Sequence, residues 1–73
     1  MPRSTLAESL ATYLRQLIFD GTYQCGEKLV ELSISKEMNV SQNTVRDALH
    51  ILENDGLVIK QARRGVFVRA FTP

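Results

Sequence analysis

The stretch VSQNTVRDALHILENDGL, Val40 to Leu57, decides the fold. It opens on Ser41, whose hydroxyl can accept from an amide near Asn43 or Thr44 and cap a helix. It closes on Gly56, a helix stop. Between them Val45, Ala48, Leu49 and Leu52 recur at i, i+3, i+4 and i+7, one face of a helix over 42–54. At about 100° per residue, Asn43, Arg46, Asp47 and His50 point nearly the opposite way. Each large apolar side chain buried is worth about 1.5–3 kcal/mol, so the apolar face fixes the rotation of the helix. The polar face therefore needs no stability rationale of its own.

Upstream, a helix is predicted at about 31–38, with Ile34 and Met38 inward, Ser35 small enough for close packing and Asn39 able to end it in a left-handed conformation. Only "NVS" separates it from the next helix, which forces the tight angle of a helix-turn-helix. Further upstream Leu6, Leu10, Tyr13, Leu14, Leu17 and Ile18 mark an amphipathic helix over roughly 5–20. Ser4 or Thr5 can cap it, with Glu8 completing a capping box after Thr5, and Gly21 can end it. In the connection "TYQCGEKLVE", Gly26 is a turn residue and Lys28-Leu29-Val30 a very short strand.

After Gly56 the period changes. "LVIKQ" and "VFVRA" are β-branched and aromatic, split by "ARRG", which predicts a hairpin with Gly65 supplying the positive φ of the turn. A lone hairpin is marginal in water, so Leu57, Ile59 and Phe67 or its neighbours must lean on the helices. The expected fold is mainly α with a small β-hairpin: a winged helix-turn-helix of three helices and a two- or three-stranded wing, one domain over 1–73.

Composition narrows the function. With 73 residues, 44% hydrophobic and 23% charged, the chain is a small soluble domain. No apolar run exceeds three residues, so no segment spans a bilayer, and the N-terminus "MPRSTLAESL" has no apolar core of a secretory signal. One cysteine, Cys25, allows no internal disulfide and no cysteine-rich metal site, which fits a reducing cytoplasm. One histidine, one cysteine and scattered carboxylates supply no catalytic pair, so no enzyme, cofactor or metal is expected. Cys25 as a plain turn residue outweighs a redox role.

The net charge of +1 conceals an asymmetry. Residues 1–55 carry five Lys/Arg and eight Asp/Glu, whereas residues 56–73 carry Lys60, Arg63, Arg64 and Arg69 and no acid. Such a change of sign fits either a solvated hairpin or a basic tip presented to a polyanion.

The polar face of the 42–54 helix suits duplex DNA. Arginine donates two bonds to guanine, asparagine brackets adenine, and a carboxylate accepts from cytosine. Ser41, Gln42, Asn43 and Thr44 cluster at the helix start, where free amides and the helix dipole favour phosphate. Helix-turn-helix proteins place that end of the second helix in the major groove. Arg63 and Arg64 then lie where a wing meets the flanking backbone or minor groove. His50 stands two turns along, beyond reach of bases, in a solvated or backbone-facing position.

Read as a whole, "GEKLVELSISKEMNVSQNTVRDALHILENDGLV" with the following "RRGVFV" resembles the DNA-binding domain of the GntR family of bacterial transcription regulators, nearest to its FadR-like branch. The family pattern G-x-x-L-x-E, V-S, V-R, A-L, G-L-V and the wing glycine fall in register over nearly the whole chain. The resemblance implies a winged helix-turn-helix that binds a palindromic operator in double-stranded DNA, one half-site per subunit. It also implies a longer regulator, with a C-terminal domain that dimerises and binds a small-molecule effector, so the chain is expected to be truncated before that domain. By position, Gln42, Asn43, Thr44 and Arg46 match the family's base- and phosphate-contacting residues, Arg64 and Gly65 match its wing tip, and Glu31 matches the glutamate that opens helix two, there mainly structural. Gln42, Asn43 and Thr44 replace the family's usual arginine, threonine and proline, which shifts the expected preference from guanine toward adenine. Cys25, Ser35 and Asn39 replace its usual proline, alanine and glycine.

Two rivals remain at this level. A winged helix can dock a protein through the same helix, but that face should then offer apolar anchors. A single-strand or RNA binder would want aromatics exposed on a sheet, and Tyr13, Phe19, Tyr23 and Phe67 sit at core spacing or in connections.

Overall fold

The structure, a computed structural model, describes residues 5–69. Helix α1 spans Thr5–Phe19, α2 Glu31–Met38 and α3 Gln42–Asn54. Strand β1 spans Lys28–Leu29 and lies before α2; β2, Val58–Gln61, and β3, Gly65–Val68, follow α3. A cap from Ser4 and a strand running to Ala70 lie outside the described residues.

Local chemistry sets the boundaries of the helix-turn-helix. Ser41 is extended, and its Oγ accepts from the Thr44 amide at 3.1 Å, which starts α3. Asn39 takes the left-handed conformation, φ 56°, and the Val40 amide donates back to the Ser35 carbonyl, which ends α2. At the far end of α3, Leu57 N–H donates to the Leu52 carbonyl and Gly56 N–H to that of Glu53. This is the paired closure of a Schellman cap, with Gly56 at φ 79°. Leu57 and Leu52, joined by that cap, are both buried.

The core collects Leu10, Ala11, Leu14 and Ile18 of α1, Ile34 of α2, the apolar face of α3, and Leu29, Leu57, Val58 and Val68. Ser35, the polar residue of α2 that is buried, donates its hydroxyl to the Leu32 carbonyl, so its burial leaves no orphan group. The expected inward face of α1 is rotated. Ala7 and Ala11 are buried, whereas Leu6 and Tyr13 stand half exposed, and Met38 of α2 is only partly buried. Counting large side chains misplaces the stripe, because alanine lets a helix approach the core closely at positions that a leucine would fill.

The sheet is antiparallel in the order β1-β3-β2, so the last strand is central. The wing thus has three strands. Val58 pairs with Val68 and Leu29 with Val66, and this set faces the helices. Ile59 and Lys28 both oppose Phe67 on the outer face, so Ile59 is exposed and Val58 takes its expected core place. The physical cause is the Schellman cap. Leu57 belongs to the helix closure, and the strand's two-residue alternation starts one residue later. The turn is also refined: Arg63, at φ 65°, is its left-handed residue, while Gly65 opens β3 at φ 117°.

Candidate nucleic-acid interface

Burial of Val45, Ala48, Leu49 and Leu52 turns Gln42, Asn43, Arg46, Asp47 and His50 into solvent. Ser41 and Thr44 are engaged with each other: besides the cap, their hydroxyls lie 2.9 Å apart. Among the described residues the amides of Gln42 and Asn43 take no partner, so the end of α3 offers two aligned donors and the positive end of the helix dipole.

Arg46 is the centre of the site. Its Nη1 donates to Asn43 Oδ1 at 3.3 Å and its Nη2 to Glu31 Oε1 at 3.5 Å. Both contacts are long, and exposed pairs of this kind contribute about 0–1 kcal/mol. They set direction without locking the group. Each Nη keeps a second hydrogen and Nε is untouched, so the fork retains the donors that a guanine edge needs. Its side chain is 60% exposed. Glu31 therefore does two things at the start of α2: it complements the helix dipole and steers Arg46 from across the turn.

His50, Glu53, Lys60 and Val66 join Arg46 along a shallow groove between α3 and the sheet. Its volume of about 40 Å³ admits water, whereas small-molecule pockets run to roughly 300–1,000 Å³. Arg63 and Arg64 lie in the exposed turn at residues 62–64 and make no hydrogen bond or ion pair with α3 among the described residues.

The structure thus gathers Glu31, Asn43 and Arg46 in one contact set and Ser41 and Thr44 in another, with His50 beside Arg46. The wing residues Arg63, Arg64 and Gly65 form a separate cluster. Sequence reading counted Lys60 only within the basic C-terminal stretch and gave Lys28 no part in the site. Lys60 lines the groove, a position that follows from its pairing with Val66. Lys28 sits far upstream, yet its Cε lies 2.8 Å from where a Cβ on Gly65 would stand. The signal for Lys60 was the two-residue alternation. None existed for Lys28, because strand order is non-local.

Among the described residues no helix is long and apolar enough to cross a membrane. Nor do three His, Cys, Asp or Glu side chains gather as a metal ion would need.

Comparisons with known proteins agree with this geometry. The chain is 36% identical over 59 residues to the uncharacterized HTH-type transcriptional regulator YdhC of Bacillus subtilis (strain 168), covering 81% of this chain and 26% of the relative. It is 38% identical over 69 residues to the Exu regulon transcriptional regulator of Escherichia coli (strain K12), covering 93% and 27%. The structure of a transcriptional regulator GntR from Rhodococcus sp. RHA1 superposes with a TM-score of 0.90 at 43% identity, over 94% of this chain and 33% of that one. The chain thus spans about a quarter to a third of the length of these relatives. The profile of the bacterial regulatory proteins, gntR family, matches residues 6–68. A three-helix core, a paired wing and this register together place the chain in the GntR family, as a winged helix-turn-helix DNA-binding domain of a transcriptional regulator.

Proposed function

We propose that the chain reads operator sequence in double-stranded DNA, with α3 in the major groove and the wing on flanking backbone or minor groove. A helix about 10–12 Å across fits a major groove about 12 Å wide. Gln42, Asn43 and Arg46 reach base edges. Ser41, Thr44 and the amides that start α3 hold phosphate, with His50 along the backbone. Arg63, Arg64 and Gly65 form the wing contact, and Glu31 orients Arg46. The observation that carries this reading is Arg46: exposed, loosely steered by Asn43 and Glu31, and with donors to spare.

In this reading the domain acts in the cytoplasm and catalyses nothing. Dimerisation on a palindromic operator, and any response to a small-molecule effector, belong to a second domain of a longer regulator. The lengths of the relatives support that division.

Selection of bound duplexes from a random pool at about 150 mM salt tests the proposal. Recovered half-sites should share a short motif with adenines facing Gln42 and Asn43. Recovery of unrelated duplexes, or of none, would refute sequence reading by this domain.

A further inference from the structure

We infer that Lys28 belongs to the wing's DNA-contacting tip and holds a backbone phosphate on the face turned away from α3; this rests on the duplex-reading assignment above. Three observations converge. First, β1 pairs with β3 with Lys28 opposite Phe67, which puts Lys28 on the outer face of the sheet. Second, its side chain runs along that face to the wing tip. A Cβ built on Gly65 would meet its Cε at 2.8 Å and its Nζ at 3.6 Å. Glycine at this position leaves the channel in which the lysine stem lies, and the stem carries the ammonium to the residue next to Arg64. Third, the charge is unspent. Lys28 forms no ion pair among the described residues, and the neighbouring Glu27 turns its carboxylate back to accept from the Gln24 amide at 2.9 Å.

The wing consequently carries cations on both faces. Lys60, opposite Val66, faces the α3 groove; Lys28 faces away; Arg63 and Arg64 occupy the turn between them. A minor groove is about 6 Å wide and walled by phosphates of both strands. A tip entering it meets one wall with each face. A wing with cations on one face alone would neutralise one wall and leave the other.

The test is a set of anisotropy titrations over a range of salt, using a duplex recovered by selection and the same duplex with its bases shuffled. Lys28→Met keeps most of the stem and removes the charge. It should weaken binding about three- to tenfold on both duplexes and reduce the slope of log K against log salt by about 0.9, the loss of one phosphate contact. Lys28→Arg should keep the wild-type slope. An unchanged slope in Lys28→Met would overturn the inference, as would a loss confined to the selected duplex, because a phosphate contact is blind to sequence. If Arg46→Ala still erases discrimination between the duplexes in that case, the major-groove reading stands without Lys28. A wild-type protein whose duplex binding ignores salt would overturn both.

Discussion

At the scale of single residues, Arg46 is where the proposed base reading and simple charge attraction can be told apart. Its side chain emerges between a helix packed from behind and a carboxylate on the preceding helix, so its direction is set before any DNA arrives. Arg46→Ala is expected to cost about 1–3 kcal/mol on the selected operator and much less on a shuffled duplex, measured by titration of both. Equal losses on the two would make Arg46 a phosphate contact. The exposure of this position opposite the packed face was legible from residue type and helical phase. Its partnership with Glu31 was not, because that contact crosses from one helix to another, and sequence spacing says nothing about which rotamer an arginine takes.

At the scale of elements, the legible and the hidden features separate by how local their causes are. Helix α2 stops at Asn39, and α3 starts at Ser41 and stops at Gly56, all through contacts among near neighbours in sequence. Ser41→Ala should accordingly lower stability by about 0.5–2 kcal/mol, read from a urea midpoint, through loss of the cap on the Thr44 amide. The phase of β2 was misjudged because the Leu57 closure absorbs one apolar residue before the strand begins, a tertiary event written in hydrogen bonds. The half-exposed Leu6 and Tyr13 show the same limit, since which side of α1 faces inward depends on how closely another helix approaches. The wing as an element makes its own prediction. Arg63→Ala combined with Arg64→Ala should flatten the salt dependence of binding by about two contacts while sparing base preference. An unchanged slope would detach the turn from the interface.

At the scale of the whole molecule, a chain this small depends on each part of one core. Leu14 is fully buried at the junction of α1 with the remainder, so Leu14→Ala should destabilise by about 2–5 kcal/mol, a large share of the roughly 5–15 kcal/mol that holds a domain folded. Thermal melts followed by circular dichroism would show it. Tyr23 couples the fold to alkaline pH. Burial raises its pKa above the ordinary 10.0, with the Glu37 carboxylate adding to the shift, followed by Glu27 and Tyr13. The unfolded chain then loses the phenolic proton first, so this stabilisation is complete below the ordinary value and disappears as pH climbs through the raised one. Tyr23→Phe should keep a flatter urea midpoint from about pH 8 to 11 than wild type does. Parallel curves would remove Tyr23 as the cause. The sheet order has a consequence for biogenesis. Because β3 sits between β1 and β2, neither earlier strand has a neighbour to bond with until Gly65–Val68 has been synthesised. A ribosome that has delivered only the helices holds a trio without its basic arm, and on the proposed reading a nascent chain of this kind gains the wing's share of its hold on the double helix in one late step.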